Sequence, residues 1–254
     1  MSYMESGIPG LDELFFGNFP KGKTILLSGP PGAGKTVFGM QFLVAGAMFN
    51  EPGVFIAFDD LPSHIRRDMS TFNWDIESFE NLDPPLLSMV DGFAARVGLS
   101  SSEHFQIRAN VDSLLITLME VLKETGATRI VIDSLTTLST SVRSIDQVRK
   151  EILTLASILG EQGCTTLLTA ELGGISSSSS DLLISTGRFG VEEYSAQGAI
   201  VLNYLERSDG EFVRAILIQK MRGKRHVFGW RECKINEEGF HVLPESRVGL
   251  DMLR

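Results

Sequence analysis

The chain has 254 residues, 43% of them hydrophobic, which is enough for one large α/β domain or two small domains with a sizeable core. Its formal net charge is −9, so there is no whole-chain basic character to favour nucleic acid or an anionic membrane as a partner. The two cysteines, Cys164 and Cys233, are too few and too far apart for a disulfide framework or a zinc site, and Cys164 is expected to be a buried free thiol.

The sequence contains no sign of a membrane segment or a secretion signal. No apolar run approaches the ~18 residues that indicate a membrane span. The amino-terminal residues lack the apolar core of a signal peptide. We therefore expect a cytoplasmic protein.

The first motif is a phosphate-binding loop. A glycine- and proline-rich segment with one predicted helical turn at Leu11–Phe15 leads into a predicted strand, Thr24–Leu27. The residues that follow match the P-loop (Walker A) pattern G-x-x-x-x-G-K-[ST], and an apolar helical segment comes next. Backbone N–H groups of such a loop and helix face phosphate oxygens, while Lys35 reaches the β- and γ-phosphates and Thr36 offers a hydroxyl to Mg²⁺. The residues predicted to bind nucleotide are Gly29, Pro30, Pro31, Gly32, Ala33, Gly34, Lys35, Thr36 and Val37.

An acidic pair follows the second predicted strand. The run Val54–Phe58 is apolar throughout, as in a strand covered on both faces, and it leads directly into Asp59 and Asp60. These acids would lie on the rim where open α/β sheets bind ligands. We expect Asp59, rather than Asp60, to orient a water molecule for catalysis beside Lys35. The alternative is that the acids only cap the next predicted helix, Pro62–Thr71.

A second acidic strand end lies about a hundred residues after the P-loop. A short strand near Leu86–Val90, a polar loop over residues 93–109 and a helix over residues 111–124 are predicted before it. The apolar run Arg129–Asp133 then ends in an acid, which is the Walker B pattern. Asp133 is predicted to hold the water shell of Mg²⁺ across from Thr36.

The next helix and strand lead to two polar residues that could sense a γ-phosphate. A capping-box-like sequence at Ser144 predicts a helix ending near Leu159, and Thr165–Ala170 is the next predicted strand. Thr169 or Glu171 is the candidate sensor, and each could equally be a satisfied polar group at the sheet edge. A run of five serines, Ser176–Ser180, then predicts a disordered loop.

The remaining sequence predicts antiparallel strands. Candidate strands are Gly198–Tyr204, Val213–Lys220 and Trp230–Ile235, with a hairpin turn at residues 208–210 and a basic tip at residues 220–226. The prediction is therefore a single α/β domain over residues 1–254, with a mostly parallel central sheet, flanking helices and a C-terminal antiparallel extension. No internal repeat is present.

Several separate motifs together resemble the KaiC-like branch of the RecA-superfamily ATPases. These motifs occur in the same order as in the family, and the resemblance covers nearly the whole chain. The motifs are S-G-I-P-G-L-D-E-L at Ser6–Leu14, P-K-G at Pro20–Gly22, the P-loop, N-W-D at Asn73–Asp75, I-D-S-L at Ile132–Leu135, A-Q-G-A-I at Ala196–Ile200 and K-M-R-G at Lys220–Gly223.

This resemblance implies a RecA-type sheet and a homo-oligomeric ring, commonly a hexamer, with ATP and Mg²⁺ bound between subunits. It also implies that Lys220 and Arg222 reach the γ-phosphate held by a neighbouring subunit. Cations there would stabilise the charge that spreads over the phosphoryl oxygens. From the residues alone, the same segment could be a solvated basic tip or a nucleic-acid contact.

Two positions depart from the family pattern. Relatives usually carry a pair of glutamates where this chain has Asp59 and Asp60; an aspartate reaches roughly 1.3 Å less, and a ~1 Å misplacement can cost about 10²-fold in rate. Hydrolysis is therefore expected to be slow unless the backbone compensates. Where the clock protein of the family phosphorylates adjacent Ser and Thr residues, this chain has Glu193 and Tyr194, which argues against transfer of that autokinase activity.

The leading hypothesis is a homo-oligomeric ATPase whose nucleotide state switches contacts with other subunits or with an unidentified signalling or regulatory protein. One alternative is a RecA-like DNA-binding ATPase of recombination or repair. Its candidate DNA loop, Leu172–Thr186, lacks the basic and aromatic residues that bind single strands, so nucleic acid is an unlikely partner. The other alternative is a nucleotide-dependent scaffold with little turnover.

Overall fold

The protein is described by a computed structural model that covers residues 3–107, 111–135, 145–171, 196–207 and 209–248. Twelve strands are present in these residues. They are β1 (Tyr3–Met4), β2 (Phe19–Pro20), β3 (Thr24–Gly29), β4 (Gly53–Ala57), β5 (Leu87–Asp91), β6 (Phe105–Gln106), β7 (Arg129–Asp133), β8 (Thr165–Glu171), β9 (Gly198–Glu206), β10 (Phe212–Met221), β11 (Arg231–Asn236) and β12 (Gly239–Arg247).

Six α-helices and one short 3₁₀ helix are found in the same part of the chain. The 3₁₀ helix is Asp12–Phe15. The α-helices are α1 (Lys35–Met48), α2 (Pro62–Met69), α3 (Ile76–Glu80), α4 (Ala94–Val97), α5 (Val111–Thr125) and α6 (Ile145–Glu161).

Ten of the strands form one sheet, in the order β12-β11-β10-β9-β3-β8-β7-β4-β5-β6. The strands from β9 to β6 in this order pair in parallel, whereas β9, β10, β11 and β12 pair antiparallel. The predicted fold class, a mostly parallel sheet with an antiparallel extension, is confirmed. The short strands β1 and β2 pair separately beside it.

The central strands are buried along their whole length because helices cover both faces. Residues of β3, β4 and β7 are all buried, as expected for parallel strands with near-continuous apolar sequence. Alternate side chains of β3 enter different cores: Ile25 and Leu27 pack on the α1 side, and Leu26 packs on the α5 and α6 side. Cys164 is a buried free thiol, as predicted, and burial raises its pKa to about 11.

The structure differs from the sequence prediction at short elements. Residues 93–109, expected to be a polar loop, include α4 and β6, and strand β12 was not expected at all. The Ser144 cap and the Ser176–Ser180 loop lie outside the described residues. Such short helices and strands have too few residues to show a hydrophobic periodicity in the sequence, because contacts with distant parts of the chain stabilise them.

A buried arginine joins three segments at the amino-terminal end of the sheet. The Arg129 side chain is fully buried, and its guanidinium donates to Glu51 Oε2 from Nη2 at 2.6 Å and from Nε at 2.9 Å. It also donates to the carbonyl oxygens of Phe42, at the middle of α1, and of Glu5, before the 3₁₀ helix. Burial lowers the pKa of Arg129, so Glu51 is the partner that keeps this charge in place.

We expect Glu51→Ala to lower the free energy of unfolding by about 2–3 kcal/mol, because it leaves a buried guanidinium without its counter-charge. Urea denaturation followed by circular dichroism would measure this loss. The double variant Glu51→Ala/Arg129→Met should recover part of it, since no charge then remains buried. A single variant as stable as the wild type would contradict the assigned role.

Candidate nucleotide-binding site

The P-loop joins the end of β3 to the start of α1, as predicted. Gly32 and Gly34 have φ values of 78° and 100°, in the left-handed region that glycine adopts without strain. Gly34 is also the N-cap of α1, and a Cβ added there would lie 2.6 Å from Ile235 Cδ1. No side chain in the described part of the chain caps α1, and the first N–H groups of a helix are a favourable position for an anion.

Lys35 lies at the base of this loop. Its Nζ donates to the carbonyl oxygens of Gly29 at 2.8 Å and of Pro30 at 3.1 Å. Burial lowers the pKa of Lys35, and the carboxylates of Asp133, Glu171 and Asp59 oppose that shift. The ammonium is therefore held by the loop backbone and faced by several acids.

Asp133 is held at the centre of the sheet edge by two hydroxyl groups. Thr36 Oγ1 donates to Asp133 Oδ2 at 2.8 Å, and Thr169 Oγ1 donates to Asp133 Oδ1. Burial is the main cause that raises the pKa of Asp133, and the two threonine hydrogen bonds act in the opposite direction. The structure therefore brings Thr36 and Asp133 together directly, while the predicted role of Asp133 toward Mg²⁺ stays a prediction.

These residues open onto a cavity of about 290 Å³. Its wall combines the P-loop, the ends of β4, β7 and β8, and one side of α2. The lining residues are Pro31, Gly32, Lys35, Thr36, Asp59, Asp60, Ile65, Asp68, Met69, Asp133 and Glu171. Five of these are acidic, and Lys35 is the one basic residue among them.

The two acids that follow β4, Asp59 and Asp60, have different surroundings. Asp60 Oδ1 accepts a hydrogen bond from the Leu61 N–H at 2.7 Å and lies 2.8 Å from His64 Nδ1, one helical turn away. Asp59 is exposed in the cavity wall, where its charge acts on both Lys35 and Asp133. Asp59 is therefore the exposed member of the pair, and Asp60 contacts the start of α2.

The two candidate sensors have different positions. Thr169 is fully buried and bonded to Asp133, so it supports that carboxylate instead of lining the cavity. Glu171, two residues further along β8, is exposed and lines the cavity. Val37 lies in the first turn of α1 and packs partly against the α1-side core.

Lys220 and Arg222 do not reach the cavity of their own chain. Lys220 pairs with Ala199 at the start of β9, and the Arg222 N–H donates to Gln197, whose own N–H donates to the Thr24 carbonyl. In the sheet register Lys220 is level with Leu26, and Arg222 is level with Thr24. The P-loop begins at Gly29, which is three residues (about 10 Å) beyond Leu26 and five residues (about 17 Å) beyond Thr24 along an extended strand.

Three polar residues that line or neighbour the cavity were missed by the sequence prediction. Asp68 and His64 lie on α2, and the i, i+4 spacing from His64 to Asp68 was a readable signal for their shared helix face. Tyr204 Oη donates to the Gly32 carbonyl at 2.7 Å, across 172 residues, and no local signal announces that contact. Glu193 and Tyr194 lie outside the described residues.

Comparison with known proteins agrees with this geometry. The family model described as "ATPase: KaiC" matches residues 4–247 of the chain. The chain belongs to the KaiC-like ATPase family. A UPF0273 protein of Pyrococcus furiosus is 32% identical over 96% of this chain and 94% of its own length. The circadian clock protein KaiC3 of Synechocystis is 32% identical over 98% of this chain but only 47% of its own length.

A solved structure supports the RecA-like fold of this KaiC-like chain. The KaiC-like protein of Pyrococcus horikoshii aligns with a TM-score of 0.78 and 36% sequence identity, covering 96% of this chain and 99% of its own. Membership in the KaiC-like ATPase family implies nucleotide binding. Within the described ranges, no helix is both long enough and apolar enough to cross a membrane.

We expect Asp133→Asn to stabilise the nucleotide-free KaiC-like chain at pH values above the raised pKa of Asp133, while removing Mg²⁺-dependent nucleotide binding. Burial raises this pKa, so above it the folded state bears the cost of a charged carboxylate. The gain over wild type should be full above the raised pKa and shrink as the pH is lowered through it, because the wild-type group is then neutral.

Thermal unfolding at several pH values would measure this difference. Asp59→Asn is the matched control, because Asp59 is exposed and its replacement should leave stability almost unchanged. An advantage of Asp133→Asn over wild type that does not grow as the pH is raised would contradict this interpretation of the buried carboxylate.

Proposed function

We propose that this protein is an ATPase that binds ATP with Mg²⁺ at the P-loop, hydrolyses it slowly, and completes each site with cations from a neighbouring copy. The observation that carries the proposal is the Thr36–Asp133–Thr169 arrangement beside Lys35 at the open N-terminus of α1. Phosphoryl transfer depends on positioning and charge stabilisation, and this arrangement supplies both.

The donor set fits a hard divalent cation. Thr36 supplies a hydroxyl oxygen and Asp133 a carboxylate, which are the ligand types Mg²⁺ prefers, and nucleotide phosphates and water would complete its shell. Among the described residues no cluster of three or more His, Cys, Asp or Glu could hold a metal by itself. Mg²⁺ would therefore bind together with the nucleotide, and its charge would neutralise the phosphates.

Asp59 is the residue best placed to orient the attacking water. Water attacks the γ-phosphorus, the bond to the β–γ bridging oxygen breaks, and ADP and phosphate leave. Asp59 would accept a hydrogen bond from that water, while Asp60 is engaged by His64 and the Leu61 N–H. The short reach of aspartate supports slow turnover.

Charge balance supports a contribution from a second copy. The cavity wall contains five acids and one lysine among the described residues, and ATP would add further negative charge. Lys220 and Arg222 lie towards the opposite end of the sheet, about 10 Å and about 17 Å respectively from their own P-loop along β3. A head-to-tail ring, for which we expect six copies, would bring them to the next site.

Nucleotide state would then control contacts between copies. The γ-phosphate and its Mg²⁺ would be held by loops from two copies, and hydrolysis would remove that shared ligand. The resulting change in subunit contacts is a means of switching binding to a signalling or regulatory partner. Tight ATP binding without phosphate release would instead indicate a scaffold.

The first test is phosphate release by single variants at the site. Lys35→Ala and Asp59→Asn should each reduce turnover at least tenfold, because they remove a phosphate contact and the water-orienting carboxylate. Asp60→Asn is the matched comparison and should have a smaller effect. Unchanged turnover in both Lys35→Ala and Asp59→Asn would contradict the proposed site.

The second test mixes two inactive variants. Lys35→Ala retains the cations of the basic tip, and Arg222→Ala retains the P-loop. Neither should hydrolyse ATP alone, but an equal mixture should recover roughly a quarter of wild-type activity, because a quarter of random head-to-tail contacts pair an intact tip with an intact P-loop. A mixture with no more activity than its components would exclude action between copies.

A further inference from the structure

An exposed phenylalanine at the end of the 3₁₀ helix combines two unfavourable features. Phe16 has φ 57° and ψ 41°, in the left-handed region that side chains other than glycine rarely adopt. Its side chain is also 59% exposed to solvent. A strained backbone that presents an apolar ring to water indicates a position where the ring has a use beyond folding.

The loop after β10 lies against this position. The Val227 N–H donates to the Leu14 carbonyl at 2.8 Å, and the Arg225 guanidinium lies 5.2 Å from the centre of the Phe16 ring. Phe228, three residues after Arg225, is 73% exposed. We call the surface formed by Phe16, Arg225 and Phe228 the aromatic edge.

The aromatic edge continues directly from the basic tip. Arg225 follows Arg222 by three residues, and Arg222 lies beside the amino-terminal end of β3. From residue 220 to residue 230 the chain has four lysines and arginines and no acidic residue. This part of the surface is therefore basic and aromatic, on a chain whose formal net charge is −9.

The surface of opposite charge is at the other end of the same sheet. Asp59, Asp60, Asp68 and Glu171 surround the mouth of the nucleotide cavity, where β3, β4 and β8 end. A basic end and an acidic end on one chain favour a head-to-tail contact between copies, which is heterologous and can close into a ring. Phenylalanine and arginine are residue types that such contacts use as anchors.

We propose that the aromatic edge is the apolar anchor of this contact, and that it packs against the acidic rim of the nucleotide cavity of a second copy of this chain. The inference rests on the proposed function, in which Lys220 and Arg222 enter that same cavity. Phe16 and Phe228 lie outside the cavity and exclude water around the cations, while Arg225 faces the rim carboxylates.

The test exploits the strained backbone of Phe16. Phe16→Gly removes the ring and places at this position the residue that its φ favours. The isolated chain should therefore unfold at the same temperature as wild type or higher, yet its self-association should be at least tenfold weaker. Analytical ultracentrifugation over a range of concentrations, with Mg²⁺ and a β,γ-imido analogue of ATP, would measure the association.

Matched variants separate the anchor from general effects. Phe228→Ser should weaken association in the same direction, and it keeps the proposal testable if Phe16→Gly does not fold. Ile116→Ser removes an apolar side chain that is 62% exposed on α5, on the other face of the sheet, and should leave association unchanged. Each variant should bind the ATP analogue as a monomer as well as wild type does.

The outcomes distinguish this inference from the function on which it rests. A wild-type chain that remains monomeric with the analogue at every concentration would overturn both. A wild-type chain that assembles, together with Phe16→Gly and Phe228→Ser variants that assemble at the same concentration, would overturn the anchor alone and leave the action of Arg222 between copies intact.

Discussion

The site depends on keeping one carboxylate buried at the centre of the sheet edge. Asp133 is held there by hydroxyl groups from Thr36, on α1, and from Thr169, on β8, so three elements meet at a single charge. Burial opposes that charge, and the pKa of Asp133 is raised as a result. The parallel register makes the meeting possible, because β3, β7 and β8 all end at the same edge.

The same strand register places acidic residues at one end of the sheet and basic residues towards the other. Acids collect where the parallel strands end, because Asp59 and Asp60 follow β4 and because Asp133 and Glu171 are the last residues of β7 and β8. The antiparallel return of β10 carries the segment from Lys220 to Arg222 towards the amino-terminal end of the sheet and away from its own P-loop. One chain therefore carries the acidic rim and the basic tip at separate places, which is the physical reason to expect a second copy.

The position of α2 relative to the cavity is fixed by a separate ionic network. Arg66 pairs with Glu80 at 2.7 Å and with Glu103 at 2.6 Å, which ties α2 to α3 and to the segment before β6. These contacts raise the pKa of Arg66 further above its usual range, led by the hydrogen bond to Glu103. Because α2 is fixed, the backbone at Asp59 can move little to compensate for a side chain that is one methylene shorter than glutamate. Slow turnover is therefore the expected consequence.

Much of this was determined by the sequence itself. The P-loop spacing, the apolar runs ending in Asp59 and Asp133, and the antiparallel segments after Gly198 are local patterns, and their physical requirements are local too. Strand β12, the Tyr204–Gly32 contact and the burial of Arg129 against Glu51 were decided only by the tertiary structure, because each joins residues far apart in the chain. The preference for Asp59 over Asp60 was predicted from the sequence, whereas the contact between Asp60 and His64 was seen only in the structure. The exposed ring of Phe16 was likewise invisible in the sequence, because a left-handed backbone and its neighbour Arg225 are set by the packing of a loop more than two hundred residues away.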